Sequence, residues 1–86
     1  MVSSKYYVYF VYIIRSERQP NQRYVGSTEN LKRRLSDHNL GRSPYTRKYR
    51  PWSLEVYVKF SDPEKALAFE RYLKTGAGRA FTRRHF

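Results

Sequence analysis

Residues 11–38 read VYIIRSERQPNQRYVGSTENLKRRLSDH, and this stretch decides the fold. It opens on an apolar run ending in Tyr12, Ile13 and Ile14 and passes through the polar SERQPNQ. It then returns through Tyr24, Val25 and Gly26 and closes on a segment with helical spacing. Extended back to residue 6, the first run is YYVYFVYIIR. Tyr6, Val8, Phe10, Tyr12 and Ile14 fall on one parity, and Tyr7, Tyr9, Val11 and Ile13 on the other. A strand that is apolar on both faces is covered on both sides, so this one is expected at the centre of a sheet. Residues 16–22 carry a Pro-Asn turn signal, and residues 23–26 form a short return strand, which together predict a hairpin. Gly26 ends it, where the missing side chain points to a close backbone approach or a positive φ.

The next segment is expected to be a helix capped by Thr28, with Glu29 and Asn30 in its first turn, ending near Leu40 before Gly41. At 100° per residue with Leu31 at zero, Leu35 falls at about 40°, His38 at about 340° and Arg34 at about 300°. Arg34 and His38 therefore share the leucine face, while the adjacent Arg33 points to solvent.

Outward from this unit, residues 52–60 (WSLEVYVKF) alternate as a half-buried strand. Trp52, Leu54, Val56, Val58 and Phe60 are expected on the core face, with Lys59 blunting an exposed edge. Asp62 and Pro63 are a cap and a first helical residue. The helix they open is expected to reach about Thr75, with Gly76 ending it and a basic tail holding one short helical turn. The expectation is an α/β fold of the α+β type, a three-stranded antiparallel sheet flanked by helices in the order β-β-α-β-α, plus a short C-terminal helix. Residues 1–86 make a single domain.

Composition narrows the partners. The chain has 18 basic and 7 acidic residues, a net charge of +11 over 86 residues. So large an excess repels itself unless a polyanion offsets it, which points to nucleic acid first and an anionic membrane second. The basic residues do not line one face of a long amphipathic helix, so a membrane role is disfavoured. The N-terminal run lacks a cleavage site and is too short to cross a bilayer. There is no cysteine. That removes disulfides and thiolate zinc sites and suits a reducing, cytoplasmic compartment. Two histidines alone cannot complete a zinc tetrahedron.

Residues 41–52, GRSPYTRKYRPW, contain no acid. Arg42, Arg47, Lys48 and Arg50 alternate with Tyr45, Tyr49 and Trp52, a pattern suited to phosphate contact and base stacking. Arg79, Arg83 and Arg84 of the tail add to this surface. The alternative is a solvated loop whose aromatics tuck under the core.

On the second helix, with Ala66 at zero, Phe69 lies at about 300°, Leu73 at about 340° and Glu70 at about 40°. A carboxylate inside that apolar arc must be met by a cation or hydrogen bonds. Either Arg34 pairs with Glu70 and locks two helices in register, or Glu70 is a metal ligand facing a cleft.

These residues together resemble the GIY-YIG nuclease family, in its small, stand-alone bacterial branch. Phe10-Val11-Tyr12 is similar to the first motif and Tyr24-Val25-Gly26 to the second. Arg34 stands eight residues after the second motif's glycine, His38 four further, and Glu70 sits on the later helix. Residue 10 departs from the pattern, with phenylalanine in place of glycine. The resemblance implies a metal-dependent endonuclease that hydrolyses DNA, single-stranded or structured, in repair, recombination or DNA processing. Tyr12, Tyr24, Arg34, His38 and Glu70 would be catalytic. One Mg2+ or Mn2+ ion would sit on Glu70, held only with substrate present. DNA is expected over RNA, and a monomer or weak dimer. With the chain stopping at Phe86, no appended recognition domain is expected, which disfavours a long specific site. The competing reading is a non-catalytic nucleic-acid-binding module built on the basic-aromatic loop and tail.

Overall fold

The computed structural model describes residues 8–86. Tyr6 and Tyr7, assigned above to the first strand, lie outside the described residues. Strands β1 (Tyr9–Ser16), β2 (Arg23–Thr28) and β3 (Trp52–Phe60) form one antiparallel sheet in the order β2-β1-β3. Helices α1 (Leu31–Asn39), α2 (Pro63–Leu73) and α3 (Gly76–His85) flank it.

The central position of β1 follows from its sequence. Its odd residues Val11 and Ile13 pack with Ala66 and Leu73 of α2, joined by Val25, Val56, Phe60, Phe69 and Phe81. Its even residues Tyr12 and Ile14 pack with Trp52 and with Leu31 and Leu35 of α1. Ile13 and Ile14 are at most 1% exposed. Burying each contributes about 1.5–3 kcal/mol relative to exposure, so both faces of β1 hold the domain together.

Strand β3 departs from the single core face expected of it. Its pairing with β1 shifts register between Ile13 and Ile14, so that Ile13 opposes Val56 while Ile14 opposes Leu54. Glu55 is the extra residue of this bulge. Trp52 and Leu54 consequently pack on the α1 face, and Val56 and Phe60 on the α2 face. A bulge inverts side-chain parity along a strand, so one alternating stretch serves both cores. Glu55 turns to Arg23, with 2.8 Å between Oε1 and Nε, and to Arg15 at 3.6 Å.

The helix termini also differ from expectation. Thr28 remains in the β2 ladder opposite Phe10. It accepts from the Asn30 amide at 3.1 Å, and Asn30 is the cap of α1, accepting from the Arg33 amide at 3.0 Å. Glu29 precedes the cap, and α1 has no acid in its first turn. Gly41 stops the chain after α1 as expected, at φ 81°. Helix α2 ends at Leu73, short of Thr75. Thr75 instead caps α3, accepting from the Gly78 amide at 3.1 Å. The basic tail is thus a ten-residue helix, well beyond one turn. It packs because Gly78 lets α3 abut the end of α2: a Cβ there would lie 2.0 Å from the Tyr72 carbonyl oxygen.

Candidate active site

Gly26 opposes Tyr12 in the ladder, and the Tyr12 ring lies directly over it. A Cβ on Gly26 would stand 2.5 Å from the Tyr12 hydroxyl oxygen. Of the two reasons foreseen for this glycine, close approach is the one that applies, because only Gly41 has a positive φ among the described residues. Gly26→Ala is expected to cost about 1–3 kcal/mol, since the buried ring cannot swing away without strain. A lowered urea midpoint at unchanged slope would register it.

Tyr12 is 1% exposed, and its hydroxyl bonds the Nε2 of His38 at 2.8 Å. The other ring nitrogen of His38, Nδ1, meets the Thr46 hydroxyl at 2.7 Å. Thr46 is itself fixed, its carbonyl accepting from the Trp52 indole at 2.8 Å. Helix α1 supplies His38, the basic loop supplies Thr46 and β3 supplies Trp52. The chain of bonds therefore ties three elements to the Tyr12 ring.

His38 has no exposed surface, so it cannot hold a phosphate. Burial, with Arg34 nearby, lowers its pKa from 6.5 to about 4. It is a neutral imidazole at neutral pH, with one nitrogen donating and the other accepting. The unfolded chain takes up a proton near pH 6.5 and the folded chain does not until about pH 4. Stability from this group is complete above pH 6.5 and lost as pH falls to about 4, a change on the order of 3 kcal/mol. Urea melts across that window should show it, and His38→Gln should flatten the slope.

Arg34 lies on the same side of α1, and Arg33 is exposed, as the helical spacing predicted. The Arg34 guanidinium stands near the Tyr12 hydroxyl and interacts with it electrostatically. Burial raises the Tyr12 pKa, and Arg34 only partly offsets that. The phenol is therefore protonated at neutral pH. Tyr24 is the more open of the two tyrosines. Its ring meets His38 edge-on at 5.2 Å between centroids and has Lys74 Nζ 5.9 Å from its own.

Glu70 completes the cluster from α2, across the β2 edge. Its carboxylate is not paired with Arg34. Oε1 accepts from the Ser27 hydroxyl at 2.8 Å, and Oε2 meets Lys74 Nζ at 3.0 Å. The Glu70 side chain is 18% exposed, which leaves it open enough to take a ligand. Among the described residues there is no group of three or more His, Cys, Asp or Glu that could cage a metal. A lone carboxylate fits a hard ion such as magnesium, which keeps waters and takes oxygens from substrate phosphate.

The basic loop divides by burial. Trp52 is core and Tyr49 packs on it at 6.4 Å between centroids, so these two tuck under as the alternative held. Tyr45 is 81% exposed. Arg42 pairs with Asp37 at 3.1 Å, and Arg50 packs its guanidinium over Gly41. Arg47, Lys48, Arg79, Arg83 and Arg84 are exposed. Three partners escaped the sequence reading. Ser27 stands one residue after the second motif and Lys74 four after Glu70, signals that were available. Thr46 gave none, because only the fold brings it to His38.

A buried tyrosine–histidine pair, an arginine beside it and a carboxylate across the strand edge, on a β2-β1-β3 sheet, define a small α+β catalytic domain. The chain belongs to the GIY-YIG family, whose catalytic-domain model matches residues 8–83. It is 34% identical over 73 residues to the UPF0213 protein SH2523 of Staphylococcus haemolyticus, covering 84% of this chain and 83% of that protein. It is also 46% identical over 68 residues to the structure-specific endonuclease subunit SLX1 of Malassezia globosa, covering 73% of this chain and 15% of that protein. The SLX1 of Candida dubliniensis is 41% identical over 73 residues, covering 77% of this chain and 26% of that protein. The chain thus spans about a quarter or less of these two fungal relatives.

Proposed function

We propose that this chain is a divalent-metal-dependent endonuclease that hydrolyses phosphodiester bonds in DNA, acting on single-stranded or structured DNA in preference to RNA. The observation that carries the reading is the placement of Glu70. An anion stands at the open edge of a strongly basic domain, held by Ser27 and Lys74, and both it and Arg34 act electrostatically on Tyr12. The name shared by the fungal relatives, structure-specific endonuclease subunit, supports the substrate class.

Magnesium or manganese on Glu70 would polarise the scissile phosphate and stabilise the leaving oxygen. The remaining work falls to the chain itself. Arg34 meets the charge that grows on the phosphate with a two-pronged guanidinium fork. Tyr24, partly open to solvent, orients the attacking water. Tyr12, buried and protonated, holds Arg34 and lends its hydroxyl to the polar network. His38 acts as a positioning residue, fixing the Tyr12 ring through Nε2. Ser27 aims Glu70. Arg42, Arg47, Lys48, Arg50 and Arg84 supply the salt-sensitive attraction for the backbone. No helix among the described residues is long and apolar enough to cross a membrane. A cysteine-free chain suits the cytoplasm, where we place it.

The test is incubation of the protein with labelled single-stranded, duplex and flapped DNA, with magnesium or with chelator. Cutting that requires magnesium and prefers single-stranded or flapped DNA is the expected result. Tight, salt-sensitive binding without cutting under any divalent metal would overturn it in favour of the binding module.

A further inference from the structure

A groove of about 850 Å3 runs between the start of β2 and helix α3. Its volume falls within the range of roughly 300–1,000 Å3 usual for ligand sites. Arg23, Tyr24, Tyr45, Lys74, Arg79 and Arg83 line it, and none of its lining residues is acidic. Arg23 is committed to Glu55 and Lys74 to Glu70. Arg79 and Arg83 have no carboxylate partner among the described residues. They stand one turn apart on the exposed side of α3, their Cβ atoms roughly 5–6 Å from each other. Tyr45 presents a ring that is 81% exposed. Through Tyr24 and Lys74, the second of which holds Glu70, the groove leads into the candidate active site.

We infer that this groove is a subsite for an unpaired nucleotide strand on one side of the scissile phosphate, with Tyr45 stacking on a base and Arg79 and Arg83 holding phosphates. The bases of a duplex are already stacked on both faces, so an exposed tyrosine gains a partner only where the strand is unpaired. The grip is one-sided. The recess toward the other end of β2, about 730 Å3, sets Glu29 and Asp37 beside Arg33 and Arg34, and its mixed charge holds a polyanion less well. The inference rests on the reading of this chain as acting on single-stranded or structured DNA and adds the place and the residues that grip the unpaired strand.

The test is fluorescence anisotropy with Glu70→Ala protein in chelator, so that nothing is cut. Three probes are compared: a blunt duplex, and the same duplex with a short single-stranded extension of either polarity. An extension of one polarity should tighten binding about tenfold, and Tyr45→Ala should remove most of that gain, at least about fivefold, from that complex alone. Replacing Arg79 and Arg83 together by glutamine should lower the salt slope of the extended probe by about 1.4. Equal affinity for blunt and extended probes would overturn the inference. So would a loss on substitution that is the same for all three. Because every arm is read without cleavage, an inactive parent protein would sink the nuclease proposal and leave the subsite standing. Conversely, equal binding would remove the subsite and leave the nuclease.

Discussion

Glu70→Ala is expected to lose at least a hundredfold to a thousandfold in cleavage rate while keeping its affinity for DNA. A metal acting as a Lewis acid is worth several kcal/mol at a phosphate, and each 1.4 kcal/mol is about tenfold in rate. Glu70 is the carboxylate that the fold sets beside Ser27 and Lys74 at the edge of β2, and no cluster of further ligands among the described residues could substitute for it. Binding should survive for an electrostatic reason. Removing an anion from a domain of net charge +11 weakens nothing that attracts phosphate, and it frees Lys74 to face the strand. The fold should survive as well. A partly exposed ion pair and one hydroxyl hydrogen bond together contribute about 1–2 kcal/mol. Single-turnover cleavage in magnesium, with anisotropy and thermal melts on the same preparations, separates these quantities. Cutting within tenfold of the parent by a folded variant would remove Glu70 from the site.

Arg34→Ala should cost about 2.7–4 kcal/mol of transition-state stabilisation, or roughly a hundredfold to a thousandfold in rate, if the guanidinium meets charge that develops only in the transition state. The structure adds a second consequence. Arg34 is what offsets the effect of burial on the Tyr12 phenol, so its loss leaves Tyr12 still harder to ionise. Because Arg34 is partly buried on α1, a structural role must be told apart from a chemical one. Arg34→Lys does this: it keeps the charge and the alkyl stem but not the two-pronged fork. The expected pattern is a lysine variant that melts like the parent and cleaves nearly as poorly as alanine. Full activity with lysine would mean that charge suffices and the fork has no part.

Much of this was legible in order along the chain. The doubly apolar run around Val11–Ile14 can only be a covered central strand, and it is one. Helical arithmetic separated Arg34 from Arg33 and placed Glu70 with Phe69 and Leu73, because side-chain direction on a helix depends only on spacing. Local reading failed where two elements meet. Thr28 looked like a cap, yet the β2 ladder holds it extended, and Asn30 takes the role. The alternation in WSLEVYVKF looked like one core face. The bulge at Glu55 divides it between two, because register is set by the partner strand. The tail looked like a single turn, but Thr75 and the close approach at Gly78 make it a full helix.

The residues of the candidate site stand at readable spacings in the sequence, the tyrosines, the arginine, the histidine and the acid alike, and the basic excess points to a polyanion as partner. The tertiary structure alone decided what each of them is free to do. His38 is sealed between Tyr12 and Thr46 and kept neutral, Tyr12 is buried while Tyr24 stays partly open, and Glu70 is held by Ser27 and Lys74 in place of Arg34. Burial and hydrogen-bond partners come from segments far apart in the chain. Solvent access and protonation state therefore belong to the packed fold and cannot be read from any single stretch.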